Sequence, residues 1–561
     1  MKKKLLKPII ILVLALFISG INMNAQDLQS AIKLTRSEQF RKADLVFQSV
    51  LQKNPGDGNA YFYYGENYLQ KYFSDTLTFS YKEMADSANR LFQSGIKNAP
   101  DNPLNYIGLG EIELIKKKKT DAQSYFDKAF SYLPTKTNKS SDLSKKEQAV
   151  VMIKMANAYL KAKVNDSSKV FPLLRKAEQL DNKNFDLFIV KGDACLQLLN
   201  DGSKAIKWYD KAQKLNPRSP RAKLRLGQLW MKANVYPSAL NYYAEAIKID
   251  SNYAPAYREM GYLLSKTNQD SKAKESFAKF LTLSTGNRMA RIQYINILLD
   301  LKDYQESIKQ INLVMIYDSS NNDFNRALGY SFYEIGKYDK GLYFMTKFFD
   351  NAPGGKVRTT DFVYYGKLLA KNNQDSLAGE VLMKAFEMDS TQTELLNQAI
   401  SQYIKGKDYS KAAEIVIKKT LLKKDVANDY YILGKLYYNL HEWNKADSVF
   451  SINITMDPGN IKGYTWKAWS QVNLDPDSKE GLAKPTFEML IEKAKTDSVK
   501  NSKELKAAYS YLSYFYFLQY IKTKSQNDAI TSKGFCEKVL IIEPADEKAK
   551  AILKELNTRI K

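Results

Sequence analysis

The sequence predicts an all-α chain, a solenoid built from a stacked repeat, on three observations. The first is a period of 34 residues: Gly227, Gly261, Ile295 and Gly329, then, after a three-residue slip at "NAPGGKV", Gly366, Ile400, Gly434 and Ala468. The second is a companion pair in each period. A small residue follows the marker by twelve positions (Ala239, Ala273, Ser307, Gly341, Ala378, Ala412, Ala446), and a large one follows four later (Tyr243, Phe277, Ile311, Met345, Leu382, Val416, Phe450). The third is punctuation, because Pro217, Pro353 and Pro458 each close a unit. A fixed period in this range marks stacked units, each burying its apolar face only against its neighbours.

The elements follow in order along the 561 residues. Residues 1–25, "MKKKLLKPIIILVLALFISGINMNA", read as a secretory signal peptide: a basic start, an apolar run from Pro8 to Gly20, then small and polar residues up to Ala25. That run would span about 20 Å as a helix, short of the ~30 Å hydrocarbon core. An uncleaved anchor is the alternative. No cysteine follows until Cys195, so a lipoprotein signal is not expected. Residues 26–134 hold the first repeat units, with one insertion around "YFSDTLTFSYKEM". A polar loop is expected over 135–148, the main array over 149–544, and an amphipathic capping helix over 545–561. Further markers at Ala31, Gly65, Gly110, Ala156, Gly192 and Ser513 bring the expected number of units to about 14.

The segment "YIGLGEIELIKKKKTDAQSYFDKAFSYLP" carries Tyr106, Leu109, Gly110, Ala122, Phe126, Ala129 and Pro134 in a spacing that resembles the tetratricopeptide repeat. The resemblance covers nearly the whole chain after residue 26, with Ile295, Ile400 and Ser513 departing from the glycine position. It implies a helix–turn–helix unit and a right-handed stack. Glycine inside a helix costs roughly 1 kcal/mol against alanine. It is expected where two helices cross closely and a large side chain from the second helix fills the space. Proline then ends the second helix, since it cannot continue the hydrogen-bond ladder.

Such a stack implies a concave groove lined by first helices. The residues expected to line it are Arg221, Arg258, Tyr262, Arg326, Tyr330, Tyr333, Lys367, Tyr431, Lys435, Tyr438 and Trp469. Arginine and aromatic residues supply much of the binding energy at interfaces. Arg258 and Arg326 are expected to project into solvent. Tyr257, Phe332, Tyr365 and Tyr437 are assigned instead to the repeat core. The lysine–asparagine clamp of chaperone-binding members has no clear counterpart.

Catalytic and metal-binding patterns are not found. The single histidine, His441, falls in the turn "NLHEWNKA", and no H-E-x-x-H occurs. "APGGKVRTT" lacks phosphate-loop spacing and reads as a turn closing a unit. Cys195 and Cys536 are about nine units apart and are expected to be buried, unpaired core residues. Neither an enzyme nor a bound cofactor or metal is expected. The net charge of +24 favours acidic partners and peripheral contact with the envelope membrane, and export argues against nucleic acid. The expected function is a non-enzymatic scaffold, exported to the periplasm or periplasmic face of the envelope of a Gram-negative-type bacterium. It would bind proteins or peptides along the groove. The alternative is a glycan-binding outer-membrane component of the SusD type.

Overall fold

A computed structural model describes residues 28–559, apart from 79, 135–141, 319–320, 353–355 and 423–425. The expected signal peptide and half of the expected polar loop lie outside the described residues. The rest of that loop is shorter than expected: Ser144 caps a helix that already begins at Lys145, with Glu147 returning the capping-box hydrogen bond.

The described residues form 29 α-helices and no strand. The chain divides after Ser320 into two compact units. Unit one contains eight hairpins. They are α1 (Leu28–Arg36) with α2 (Phe40–Lys53), α3 (Gly58–Ser74) with α4 (Tyr81–Asn98), α5 (Pro103–Ile115) with α6 (Lys119–Phe130), and α7 (Lys145–Lys161) with α8 (Ser167–Leu180). Then come α9 (Phe185–Leu198) with α10 (Gly202–Leu215), α11 (Arg221–Lys232) with α12 (Tyr236–Ile249), α13 (Ala254–Lys266) with α14 (Asp270–Leu283), and α15 (Arg288–Asp300) with α16 (Tyr304–Met315).

Unit two contains six more. They are α17 (Asn322–Glu334) with α18 (Tyr338–Asp350), α19 (Thr359–Lys371) with α20 (Asp375–Met388), and α21 (Glu394–Lys405) with α22 (Tyr409–Leu422). They continue with α23 (Ala427–Asn439) and α24 (Trp443–Met456), α25 (Ile461–Leu474) and α26 (Lys484–Ala494), and α27 (Ser502–Thr523) and α28 (Gln526–Ile542). A last helix, α29 (Glu547–Arg559), buries Ala549 against Cys536 and Val539, and Leu556 against Tyr520 and Ala529. The fold is an all-α solenoid, and every one of the fourteen sequence markers lies on the first helix of a hairpin.

The helix crossings explain the markers. A Cβ placed on Gly227 would lie 2.4 Å from Tyr243 Cε1, and one on Gly434 2.6 Å from Phe450 Cε1. Tyr243 and Phe450 are fully buried. Where the marker is Ile295 or Ile400, the residue sixteen positions on is Ile311 or Val416, both buried and smaller than an aromatic. Volume moves from one helix to the other and the crossing stays filled.

The turn inside most hairpins has its own rule. Seven residues after the marker the backbone enters the left-handed region, at Asn234 (φ 59), Asn268 (φ 57), Lys302 (φ 58), Gly336 (φ 75), Lys407 (φ 62) and His441 (φ 60). The next amide closes the first helix from five residues away, as in Val235 N to Trp230 O at 2.9 Å and Glu442 N to Tyr437 O at 2.9 Å. This is the Schellman ending, which satisfies carbonyls that a helix C-terminus leaves bare. His441 is thus a turn residue by conformation. Cys195 and Cys536 are both free and buried.

Unit one curls until its ends meet. Arg258 of α13 pairs with Glu38, which follows α1, and Gln39 Nε2 donates to Asn252 O at 3.0 Å. Arg36 Nη2 donates to Asp186 Oδ2 of α9 at 2.6 Å. The α3–α4 turn reaches α15, where Asn287 Nδ2 donates to Ser74 O at 3.2 Å. The first hairpin therefore meets the fifth and seventh, and the second meets the eighth.

Candidate functional site: a charged lumen and an aromatic face

Curling leaves a half-open cavity of about 720 Å³ inside unit one, lined mainly by the first helices α1, α3, α7, α9, α11 and α13. Polar and charged side chains are buried in that wall. They persist there because each has a partner, since an isolated buried charge is costly. Asp186 receives both Arg36 and Arg221. Burial works against its charge, but the two guanidinium groups outweigh that and hold its carboxyl well below the usual range. Glu66 takes Lys154 and also Lys161 at 3.2 Å, while Lys161 reaches Glu111 at 3.2 Å. Burial opposes the Glu66 carboxylate, yet the two lysines keep its pKa down at about 2. Glu111, for which burial dominates, is shifted upward instead. Asp193 accepts from Tyr209 Oη at 2.7 Å and pairs with Arg225 Nε at 3.0 Å.

These partners change the reading of the expected groove. Arg221 and Arg258 do lie on the inner wall, but each is tied to an internal carboxylate; Arg258 also meets Glu259 at 3.1 Å. Arg258 does not project into solvent, contrary to expectation, because the first hairpin brings Glu38 onto it. Arg326 does not either. It is buried, with Nε 3.0 Å from the fully buried Asp361, Nη2 donating to Lys356 O at 2.7 Å, and its guanidinium over Phe348 at 4.5 Å. Tyr262 is half-buried and meets Phe277 edge-on at 5.1 Å.

In unit two the remaining expected residues gather in two clusters on the first-helix face. Tyr330 donates to Asp361 and stacks on Tyr364 at 4.1 Å, and Tyr333 meets Tyr364 edge-on at 5.4 Å. Lys367 lies over Tyr364 at 5.8 Å and Tyr333 at 6.0 Å. Farther along, Lys435 lies over Trp466 at 5.4 Å and Tyr431 at 5.8 Å. Tyr438 meets Trp443 at 4.8 Å and Trp466 at 4.9 Å. Trp469 packs edge-on against Phe487 at 5.7 Å. All of these stay half-buried, so their faces and ammonium groups border solvent. Between the clusters, α21 contributes no aromatic to this face. Phe332 is buried, and Tyr257, Tyr365 and Tyr437 pack on the core as assigned.

Several inner-face residues escaped sequence reasoning: Tyr63, Lys154, Arg225, Tyr364 and Trp466, all two positions before a marker, and Glu66, Asn157 and Asp193, one position after. The usable signal was helical spacing. Positions two before and one after a marker are three apart and share a face. Among the described residues, no group of three or more His, Cys, Asp or Glu side chains is placed to hold a metal ion. No described helix is long and apolar enough to cross a membrane.

The family description "Tetratricopeptide repeat" matches residues 186–254, the hairpins α9–α10 and α11–α12 that build this wall. Over these residues the chain is similar to the tetratricopeptide repeat family. Similar curated proteins are tetratricopeptide repeat protein 21A of Mus musculus, 29% identical over 133 residues, and that of Homo sapiens, 32% identical over 123 residues. These stretches are 24% and 22% of this chain, and they span only 10% and 9% of those relatives. Among solved structures, the C-terminal part of a repeat-containing protein from Cytophaga hutchinsonii is 29% identical, with a TM-score of 0.35, covering 46% of this chain and 98% of that one. YrrB, described as a repeat protein with an unusual peptide-binding site, is 20% identical with a TM-score of 0.30, covering 34% of this chain and 96% of its own. The tetratricopeptide fold generally mediates binding to proteins or peptides.

Proposed function

We propose that this chain is an exported, non-enzymatic scaffold of the cell envelope of a Gram-negative-type bacterium. It holds a partner protein or peptide on the first-helix face of unit two. The supporting observation is the pair of aromatic–lysine clusters, Tyr330, Tyr333, Tyr364 and Lys367, then Tyr431, Lys435, Tyr438 and Trp466. Half-buried rings offer contact area that is already ordered, and each lysine offers charge without an ion pair of its own among the described residues. Arg221 and Arg258, the arginines of unit one expected to line the groove, are tied to internal carboxylates, which moves the docking face to unit two. Acidic segments suit this face. Export rests on the basic, apolar and small residues of 1–25.

The experiment is a crosslinked pull-down from the envelope fraction with the wild-type chain and with Lys367→Glu/Lys435→Glu. The double variant should lose its captured protein while melting normally. Equal capture by both would exclude this face. Recovery of the chain in the cytoplasm would exclude export. The glycan reading would show instead as retention on an outer-membrane polysaccharide matrix, with no protein captured.

A further inference from the structure

The lumen of unit one has more hydrogen-bond donors than acceptors. Seven cationic side chains and four carboxylates line it. Glu111 and Glu259 pair with Lys161 and Arg258 from behind the wall, and a cationic excess survives them. The excess is local. Arg36 and Arg221 share the single carboxylate of Asp186, each through one nitrogen, although a guanidinium carries five N–H donors. Asp193 cannot help, because it already serves Arg225 and Tyr209.

Two phenols flank this triad. Tyr63 lies in the field of Arg36 and Asp186, and Tyr253 in that of Arg221 and Arg225. Neither hydroxyl has a hydrogen-bond partner among the described residues, although both rings line the cavity. Burial pushes Tyr253 up to about 12, so its hydroxyl keeps its proton at neutral pH and donates. Two half-used guanidinium groups and two unpartnered hydroxyls are what an oxyanion accepts from. The space, about 720 Å³, is that of a small-ligand pocket rather than of a protein interface.

We propose that the lumen of unit one binds a small organic anion, a carboxylate or phosphate ester, seated against Arg36, Arg221, Tyr63 and Tyr253. This site is separate from the protein-docking face of unit two and does not depend on it. Calorimetric titration of the full chain at fixed ionic strength tests it, with citrate and glycerol 3-phosphate as probes and glycerol as the neutral control. The two anions distinguish a carboxylate from a phosphate source. At least one anion should bind saturably and glycerol should not. Tyr253→Phe keeps the ring and removes only the hydroxyl; Arg221→Gln leaves Asp186 paired with Arg36. Each should weaken the bound anion at least tenfold, with Tyr253→Phe melting as the wild type does. Lys548→Gln, at an exposed position of α29, should bind as the wild type does. The proposal falls if neither anion saturates, if both lumen variants bind like wild type, or if Lys548→Gln loses as much affinity as they do.

Discussion

Arg258 and Glu38 form an ion pair across 220 residues of chain, with side chains only 15% and 14% exposed. The pair fastens the first hairpin to the seventh. Arg258→Ala would leave Glu38 and Glu259 facing each other in a largely buried wall, at a cost of about 3 kcal/mol. Arg258→Ala is therefore expected to lower the urea midpoint of unit one markedly. Lys548→Gln on the surface should stay within about 0.5 kcal/mol of wild type. The charge exchange Arg258→Glu/Glu38→Arg should recover part of the loss, and equal stability of all variants would show that the closure contributes nothing.

Glycines of this chain should divide by what surrounds them. Gly227→Ala forces its Cβ onto the Tyr243 ring and should cost about 1–3 kcal/mol. Gly534→Ala sits inside α28 with nothing within 4 Å, and should gain up to about 1 kcal/mol from helix propensity. At Ile400, a compensated exchange applies. Val416→Phe alone should destabilise, and Val416→Phe with Ile400→Gly should melt closer to wild type. Thermal melts of these four variants decide the point.

The left-handed turns carry strain that glycine would release. Lys407→Gly, at φ 62, should stabilise unit two by about 1 kcal/mol. Glu414→Gly, exposed and inside α22, should cost about 1 kcal/mol. If both glycines destabilise alike, the turn geometry is not what sets the energy there.

Acid should loosen unit one through Glu66. Its folded pKa of about 2 lies below the ordinary carboxylate value of 4.5. The stability it contributes is full above the unfolded pKa and is lost as pH falls from about 4.5 through about 2. Glu111, shifted upward by burial, acts in the opposite sense. Glu66→Gln should cost about 3 kcal/mol at neutral pH, because Lys154 loses its partner. The gap between variant and wild type should close as the pH falls toward 2, and a gap independent of pH would refute this role.

Both thiols should be slow to react in the native chain and fast once it unfolds. Burial raises both above the ordinary thiol range. Ellman titration should find two free thiols in denaturant without reductant, and none would mean that Cys195 and Cys536 pair.

The helical hairpin, its crossing and its count were all legible in the sequence. Those features are local: a glycine and its aromatic stand sixteen residues apart in the same hairpin, as with Gly227 and Tyr243, so their spacing is visible in one dimension. The turn at His441 was legible for the same reason, although the shared left-handed backbone at Asn234 and Lys302 was not, because asparagine, lysine and histidine have no common pattern. The fate of the arginines was set by contacts between distant hairpins. Glu38 and Arg258, or Arg36 and Asp186, meet because small rotations between successive hairpins add up until unit one returns on itself. No periodicity in the sequence encodes that sum. It turned an expected groove of free arginines into a lumen of paired ones, and left the half-buried tyrosines, tryptophans and lysines of unit two to face solvent.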